Sequence, residues 1–280
     1  FDITDREQVL ATLSELQPAV IVNCAAYTNV DGCESEEALA TRVNGDGPGY
    51  LAEAALEVGA TLVHVSTDYV FDGTKRTPYT EADPPCPVSA YGRSKLAGEQ
   101  AIRASGLERF FILRTSWLYG PGGKNFVETI LRLAGERDEL RVVADQIGCP
   151  TYTADLAEAI FALLKTVMSD ELRVTSEGER QEKPGSPITH HPSPLYGLYH
   201  LSNEGQCSWH EFAEEIVRLA RERGAELKVE TIRPITTEEY PLPAPRPAYS
   251  VFSKEKYKTA TGCDIPHWRE ALKRYMDNKF

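Results

Sequence analysis

The sequence predicts an α/β fold, a doubly wound parallel sheet joined to a smaller C-terminal α/β substrate lobe. Three observations carry that prediction. Strand-length apolar runs at 19–23, 61–66 and 110–114 are continuous rather than alternating, as expected for strands buried on both faces of a parallel sheet. Helical stretches separate them in strict alternation, the order that a doubly wound sheet requires. Residues able to hydrogen-bond cluster just after the strands, at the carboxyl ends where such folds bind ligands.

The elements follow in order. Asp2-Ile3-Thr4-Asp5 reads as a loop and N-cap for a helix carrying Val9, Leu13 and Leu16. Pro18 ends that region, and Ala19-Val20-Ile21-Val22-Asn23 reads as a buried strand. A helix over 35–58, a strand over 61–66, a helix over 89–105 and a strand over 110–114 come next. Beyond Gly120 the pattern loosens into a helix at 125–134, a strand at 140–143 and a helix at 153–168. Residues 169–194 are rich in Gly, Ser, Pro and Glu with His190 and His191 adjacent, and read as a loop or insertion. Leu198-Tyr199-His200-Leu201 returns as a strand, and Ser208 caps a helix through Phe212, Ile216 and Leu219. The Pro-rich segment 233–247 reads as irregular, and Pro266 as the opening of a last helix through Trp268, Leu272 and Tyr275. The expected division is a dinucleotide-binding domain over 1–142, with 196–204 returning to its sheet, and a mainly substrate-binding lobe over 143–280.

Composition narrows the function. Thirty Lys and Arg against 42 Asp and Glu give a net charge of −12, so no net field draws the protein to nucleic acid or anionic lipid. No apolar run approaches the roughly 20 residues of a membrane span, so no membrane partner is expected. Cysteines 24, 33, 86, 149, 207 and 263 form no CxxC pair and no cluster with His at metal-ligand spacing. A reducing, cytoplasmic setting without a metal site is the expectation, and Cys24 and Cys149 read as packing residues. Phe1 opens the chain without Met or a basic leader, as if inside a domain, so a preceding segment is expected.

Chemistry begins at Tyr91-Gly92-Arg93-Ser94-Lys95, which puts a phenol and an ammonium on one helix face. A phenol with a pKa of about 10 is a weak acid at neutral pH, and a nearby ammonium favours its ionised form. Spacing alone proves little, because Tyr275 and Lys279 repeat it at what reads as a solvated helix end. Context adds weight: Ser66-Thr67-Asp68-Tyr69 follows a buried strand directly, so Thr67 can donate to a carbonyl and Asp68 can accept from a sugar hydroxyl. The same residues also suit a simple turn cap. After the first strand, Cys24-Ala25-Ala26-Tyr27-Thr28 offers small side chains to a flat cofactor, or to packing.

Taken together, Asn23-Cys24-Ala25-Ala26-Tyr27-Thr28-Asn29-Val30-Asp31, Val43-Asn44, the Ser66 to Gly73 turn, the Tyr91 to Glu99 helix, Arg114-Thr115-Ser116-Trp117-Leu118-Tyr119-Gly120 and Asp145-Gln146-Ile147-Gly148-Cys149-Pro150-Thr151 resemble the dTDP-4-dehydrorhamnose reductase family. That family belongs to the extended short-chain dehydrogenase/reductases, with a Rossmann-like fold. The resemblance covers nearly the whole chain except 169–194. It implies reduction of the C4 ketone of dTDP-6-deoxy-L-lyxo-4-hexulose to dTDP-L-rhamnose by NADPH or NADH. The family's catalytic Thr, Tyr and Lys match Thr67, Tyr91 and Lys95, with Tyr91 delivering a proton, Thr67 polarising the carbonyl oxygen, and Lys95 holding the nicotinamide ribose while depressing the phenol pKa. Asp2 and Ile3 match the adenine side of the cofactor site, and Ala25, Ala26, Thr28 and Val65 line it. Trp117 and Asn125 match the sugar side, and Arg246 is a candidate for the diphosphate, since guanidinium binds phosphate bidentately. Internal packing is the alternative for Trp117, and a surface ion pair for Arg246. A dTDP-sugar is the implied partner, and a homodimer is possible.

One departure stands out. The family places a strand and a Gly-x-x-Gly-x-x-Gly turn ahead of the residues matched here, and the sequence contains no such turn. A β-α-β start of roughly 40 residues is therefore expected to be missing from the chain, and with it the residues that sort NAD from NADP. Two other functions fit the same Tyr and Lys. A sugar-nucleotide epimerase or dehydratase is one, although dehydratases carry Thr-Asp-Glu where this chain has Thr67-Asp68-Tyr69. The other is a non-catalytic, NADP-binding regulatory subunit resembling the β subunit of methionine adenosyltransferase.

Overall fold

The computed structural model describes residues 1–178 and 193–280. Asp5 caps α1 (Arg6–Leu16) by accepting from the Gln8 amide, and β1 (Val20–Asn23) follows. Where a single helix over 35–58 is expected, residues 30–58 fold as four pieces instead. Asn29 caps α2 (Val30–Ser35), then come α3 (Glu37–Thr41), a π-helical turn (Arg42–Asp46) and α4 (Gly47–Val58). The widened turn is held from outside the helix. Asn44 donates to the Tyr27 carbonyl at 3.0 Å and to Ser94 Oγ at 3.0 Å, and accepts from the Tyr27 amide at 2.8 Å.

The next strand, β2 (Thr61–Thr67), runs into a 3-10 turn (Asp68–Val70), and Ser89 caps α5 (Ala90–Ala104). β3 (Phe110–Thr115) and the short β4 (Leu118–Tyr119) lead to α6 (Phe126–Glu136), which Asn125 caps. β5 (Glu139–Val143), β6 (Ile147–Gly148) and β7 (Thr151–Tyr152) precede α7 (Thr153–Gly178). This last helix continues ten residues past Met168, so the first part of the expected 169–194 loop is helical. His190 and His191 lie outside the described residues. The chain resumes with β8 (Gly197–His200), β9 (Cys207–Ser208), α8 (Trp209–Glu222), β10 (Thr231–Ile235), α9 (Glu255–Thr261) and α10 (Trp268–Lys279).

Four strands make the main sheet, in the order β1-β2-β3-β8, and every pairing is parallel. One face packs Val9, Leu13, Leu51, Ala55 and Ile102 from α1, α4 and α5, and the other packs Leu156, Leu163 and Tyr257 from α7 and α9. A separate core joins α6, α8 and α10 through Val127, Ile130, Phe212, Ile216, Trp268 and Leu272. Within 233–247, read as irregular, β10 pairs in parallel with β5 and places Pro234 opposite Val142. Proline is tolerated because this sheet has only two strands, so each is an edge. Pro266 lies one residue ahead of the α10 cap, which is His267 accepting from the Arg269 amide. Nor is the end of α10 a simply solvated one: the Tyr275 hydroxyl donates to Glu128, and Lys279 pairs with the same carboxylate at 2.8 Å. Among the described residues no helix is long and apolar enough to cross a membrane.

Candidate active site

Parallel pairing brings the carboxyl ends of β1, β2 and β3 to one edge of the sheet. There lie Cys24-Ala25-Ala26 after β1, Thr67-Asp68 at the end of β2, and Ser116-Trp117 after β3. The first turns of α5 reach the same edge. Gly92 makes the approach possible, because a Cβ at that position would stand 2.2 Å from the Tyr69 carbonyl oxygen. The close contact sets Tyr91 edge-on to Tyr69, with ring centroids 5.4 Å apart.

The Thr67 side chain stands close enough to the Tyr91 phenol to favour its ionised form, so the two residues singled out from sequence meet. The Thr67 hydroxyl also donates to Asp68 Oδ1 at 3.1 Å and accepts from the Tyr69 amide at 3.2 Å. Asp68 is buried, which pushes its carboxyl up to about 6 against hydrogen bonds from Ser250 and Thr67. Burial raises the Tyr91 phenol above its ordinary value, and the Asp68 and Cys33 charges add to the rise while Thr67 opposes it. The expected depression by Lys95 is therefore not what the structure shows. The Lys95 Nζ is turned to the Val65 carbonyl at 2.7 Å and lies 3.3 Å from His64 Nε2. Burial also lowers Lys95 to about 8, with the Glu99 and Cys24 charges opposing, so its positive charge is itself weakened.

A buried ion pair stands one turn behind Lys95. Glu99 accepts from Arg114 Nε at 2.9 Å, from Arg114 Nη2 at 2.7 Å and from Ser66 Oγ at 2.6 Å. It ties α5 to β2 and β3 directly beneath the site.

The remaining expected residues are more dispersed. Ala25 is exposed and its amide donates to Asn23 Oδ1 at 3.0 Å, while Ala26 is half-buried and Thr28 exposed. Asp2 accepts from the Thr4 amide and hydroxyl, and Ile3 lies beside Gly47 at the start of α4. Trp117 holds a left-handed backbone, φ 47°, and stacks on Trp209 with centroids 3.5 Å apart. Strain of that kind is typical of functional positions. The Asn125 side chain is committed to its helix, accepting from the Glu128 amide and donating to the Gly120 carbonyl. Arg246 is engaged by Asp31 through Nη1–Oδ1 at 2.6 Å and Nη2–Oδ2 at 2.8 Å, the ion pair held open as its alternative. Cys149 is buried with its thiol on the Gly205 carbonyl, whereas Cys24 is exposed rather than packed. Trp209 and Ser250 entered no sequence argument about the site, and Asp31 and Glu99 stood only within longer motifs with no role of their own, since their partners Arg246 and Arg114 are brought to them by the fold.

Comparison with known proteins places this geometry. A family model described as RmlD substrate binding domain matches residues 1–178 and 186–280. The dTDP-4-dehydrorhamnose reductase of Burkholderia thailandensis is 44% identical over 273 residues, 97% of this chain and 85% of that protein. The chain belongs to the dTDP-4-dehydrorhamnose reductase family. A crystal structure of a family member from Clostridium acetobutylicum superposes with a TM-score of 0.83 at 42% identity, covering 100% of this chain and 87% of that one. Another, from Bacillus anthracis and solved in complex with NADP, gives a TM-score of 0.82 at 42% identity, covering 99% and 87%.

The residues present fit the nicotinamide-ribose end of such a cofactor. Lys95 is a buried amine that spends one donor on Val65, Tyr91 one turn before it is half-buried, and the short side chains of Ala25 and Ala26 leave the strand end uncrowded. Among the described residues no group of three or more His, Cys, Asp or Glu side chains is arranged to hold a metal ion.

Proposed function

We propose that this chain catalyses the reduction of the C4 ketone of dTDP-6-deoxy-L-lyxo-4-hexulose to dTDP-L-rhamnose with NADPH or NADH. The observation that carries the reading is the meeting of Thr67, Tyr91 and Lys95 at the carboxyl end of β2. When bound, the reduced nicotinamide supplies hydride to C4. As charge grows on the C4 oxygen, Tyr91 donates its proton to it. The raised phenol pKa keeps that proton in place at neutral pH until the alkoxide, a far stronger base, removes it. Thr67 donates to the same oxygen, turning its hydroxyl from Asp68 Oδ1 to the substrate. Lys95 binds the ribose hydroxyls with the donors that Val65 does not use.

Asp68 accepts from a sugar hydroxyl, and Trp117, braced by Trp209, offers the sugar a flat apolar wall. Arg246 contacts the diphosphate while Asp31 fixes the plane of its guanidinium. Ala25, Ala26, Thr28, Val65, Asp2 and Ile3 belong to the cofactor side of this reading, and Asn125 supports the sugar side through the α6 cap. The reaction is placed in a reducing cytoplasm, a placement supported by six free thiols.

The test is nicotinamide oxidation followed optically with the 4-keto sugar nucleotide, and identification of the product by mass and NMR. Stoichiometric dTDP-L-rhamnose is the expected result. Tight binding of cofactor with no oxidation would overturn the proposal and favour the regulatory-subunit alternative.

A further inference from the structure

We infer that Asn23 and His64 form a positioning pair that presents an N–H, rather than a lone pair, to the amine of Lys95. Asn23 ends β1 and His64 is its cross-strand partner in β2. Both are buried, as is Lys95. The amide of Asn23 has its orientation fixed, because Oδ1 accepts the Ala25 backbone N–H at 3.0 Å. Its Nδ2 therefore faces His64 Nδ1, at 3.0 Å, and donates to it. A neutral imidazole that accepts at Nδ1 carries its proton on Nε2. That Nε2 lies 3.3 Å from Lys95 Nζ. With His64 in this tautomer, the contact is a hydrogen bond only when Lys95 is the neutral amine. Against an ammonium, two donors face each other. The second ligand of Nζ, the Val65 carbonyl, accepts from either form and does not discriminate.

Other charges around Lys95 act in the opposite sense or at one remove. Glu99, on its own helix, and Cys24, after β1, favour the ammonium. Arg114 from β3 neutralises much of Glu99 by pairing with both of its oxygens. Tyr91, on the preceding turn, is held in its neutral form by burial. His64 itself is held well below its ordinary value by burial and by Lys95, so it remains neutral across the working range. Among the described residues, the Asn23–His64 pair is thus the polar contact set to favour a neutral lysine. The consequence for turnover rests on the reductase reading, in which Lys95 touches the ribose, but the tautomer and the Lys95 titration are properties of the free protein.

The test is NMR of the full chain with ¹⁵N-labelled histidine and lysine. His64 is expected to show a protonated Nε2 and an unprotonated Nδ1 from roughly pH 6 to 9. The opposite tautomer, or a protonated ring, would overturn the inference without any variant. Asn23→Asp then exchanges the donor for an acceptor, which takes the proton to Nδ1 and turns the Nε2 lone pair toward Lys95. The Lys95 titration is expected to rise by about one pH unit, a tenfold change in the amine-to-ammonium ratio. In a His64→Gln background the same Asn23→Asp change is expected to move Lys95 by less than half as much. Equal shifts in both backgrounds would mean simple charge attraction and would refute the pair. A protein that shows the predicted tautomer and titration yet reduces no sugar nucleotide would refute the proposed function and leave this inference standing.

Discussion

Arg114→Met tests how the site is anchored. The guanidinium and the Glu99 carboxylate are 3% and 1% exposed, and they meet in a two-bond fork at 2.7 and 2.9 Å. Methionine fills most of the volume but leaves the carboxylate with Ser66 alone. Stranding one member of a buried pair costs about 3–5 kcal/mol. Unfolding entropy of roughly 2.1 cal/mol/K per residue gives this 280-residue chain about 0.6 kcal/mol/K, so the melting temperature is expected to fall by about 5–8 °C. Calorimetry and denaturant titration measure the loss directly. Removing both charges, with Glu99→Leu added to Arg114→Met, is expected to recover most of it, because no unpaired ion remains. A loss below about 1 kcal/mol for Arg114→Met alone, the size of a surface pair, would refute the reasoning and mean that water reaches Glu99.

Other expectations are independent of that pair. Tyr91→Phe should lower kcat by about 10²–10⁴ through loss of the general acid, while cofactor affinity measured by fluorescence titration stays within a few-fold. Gly148→Ala should raise KM for the sugar nucleotide without weakening cofactor binding, because the added Cβ would lie 2.6 Å from Trp117 Cε2 and displace the indole. An unchanged KM would separate Trp117 from the sugar. The Asp68 carboxyl is raised from its unfolded value to about 6, so its contribution to stability is full below about pH 4 and is lost as pH rises through about 6. The loss approaches about 3 kcal/mol, and Asp68→Asn should remove that part of the slope in unfolding free energy against pH. A slope identical to that of the parent protein would place the carboxyl in water.

Local signals made part of this molecule legible. The helix bearing Tyr91 was readable to within a residue because Ser89 caps it and its apolar face keeps a helical period. The break between α2 and α4 was not, since the π turn is set by Asn44 reaching Tyr27 and Ser94, the latter fifty residues away. Likewise β10 contradicts the local message of Pro234, and only its edge position in a two-stranded sheet permits it. In the site, the residue types and order of Thr67, Tyr91 and Lys95 were enough to bring them forward. Their electrostatics were not legible, because burial decides them. The spacing of Tyr91 and Lys95 predicts a more acidic phenol, whereas the fold buries the phenol and turns Nζ toward Val65 and His64. The second such pair, Tyr275 and Lys279, has a partner in Glu128 that no window of sequence contains.

The central claim is that Tyr91 protonates a sugar ketone as hydride reaches it at this strand edge. Its most direct test is single-turnover reduction of the 4-keto sugar nucleotide with NADPH deuterated at the transferring position, reading deuterium at C4 of the product for the parent protein and for Tyr91→Phe. One deuterium per product in the parent, formed at least about a hundredfold more slowly by the variant, is the predicted result. Product without deuterium at C4, or equal rates in the two proteins, would contradict the account.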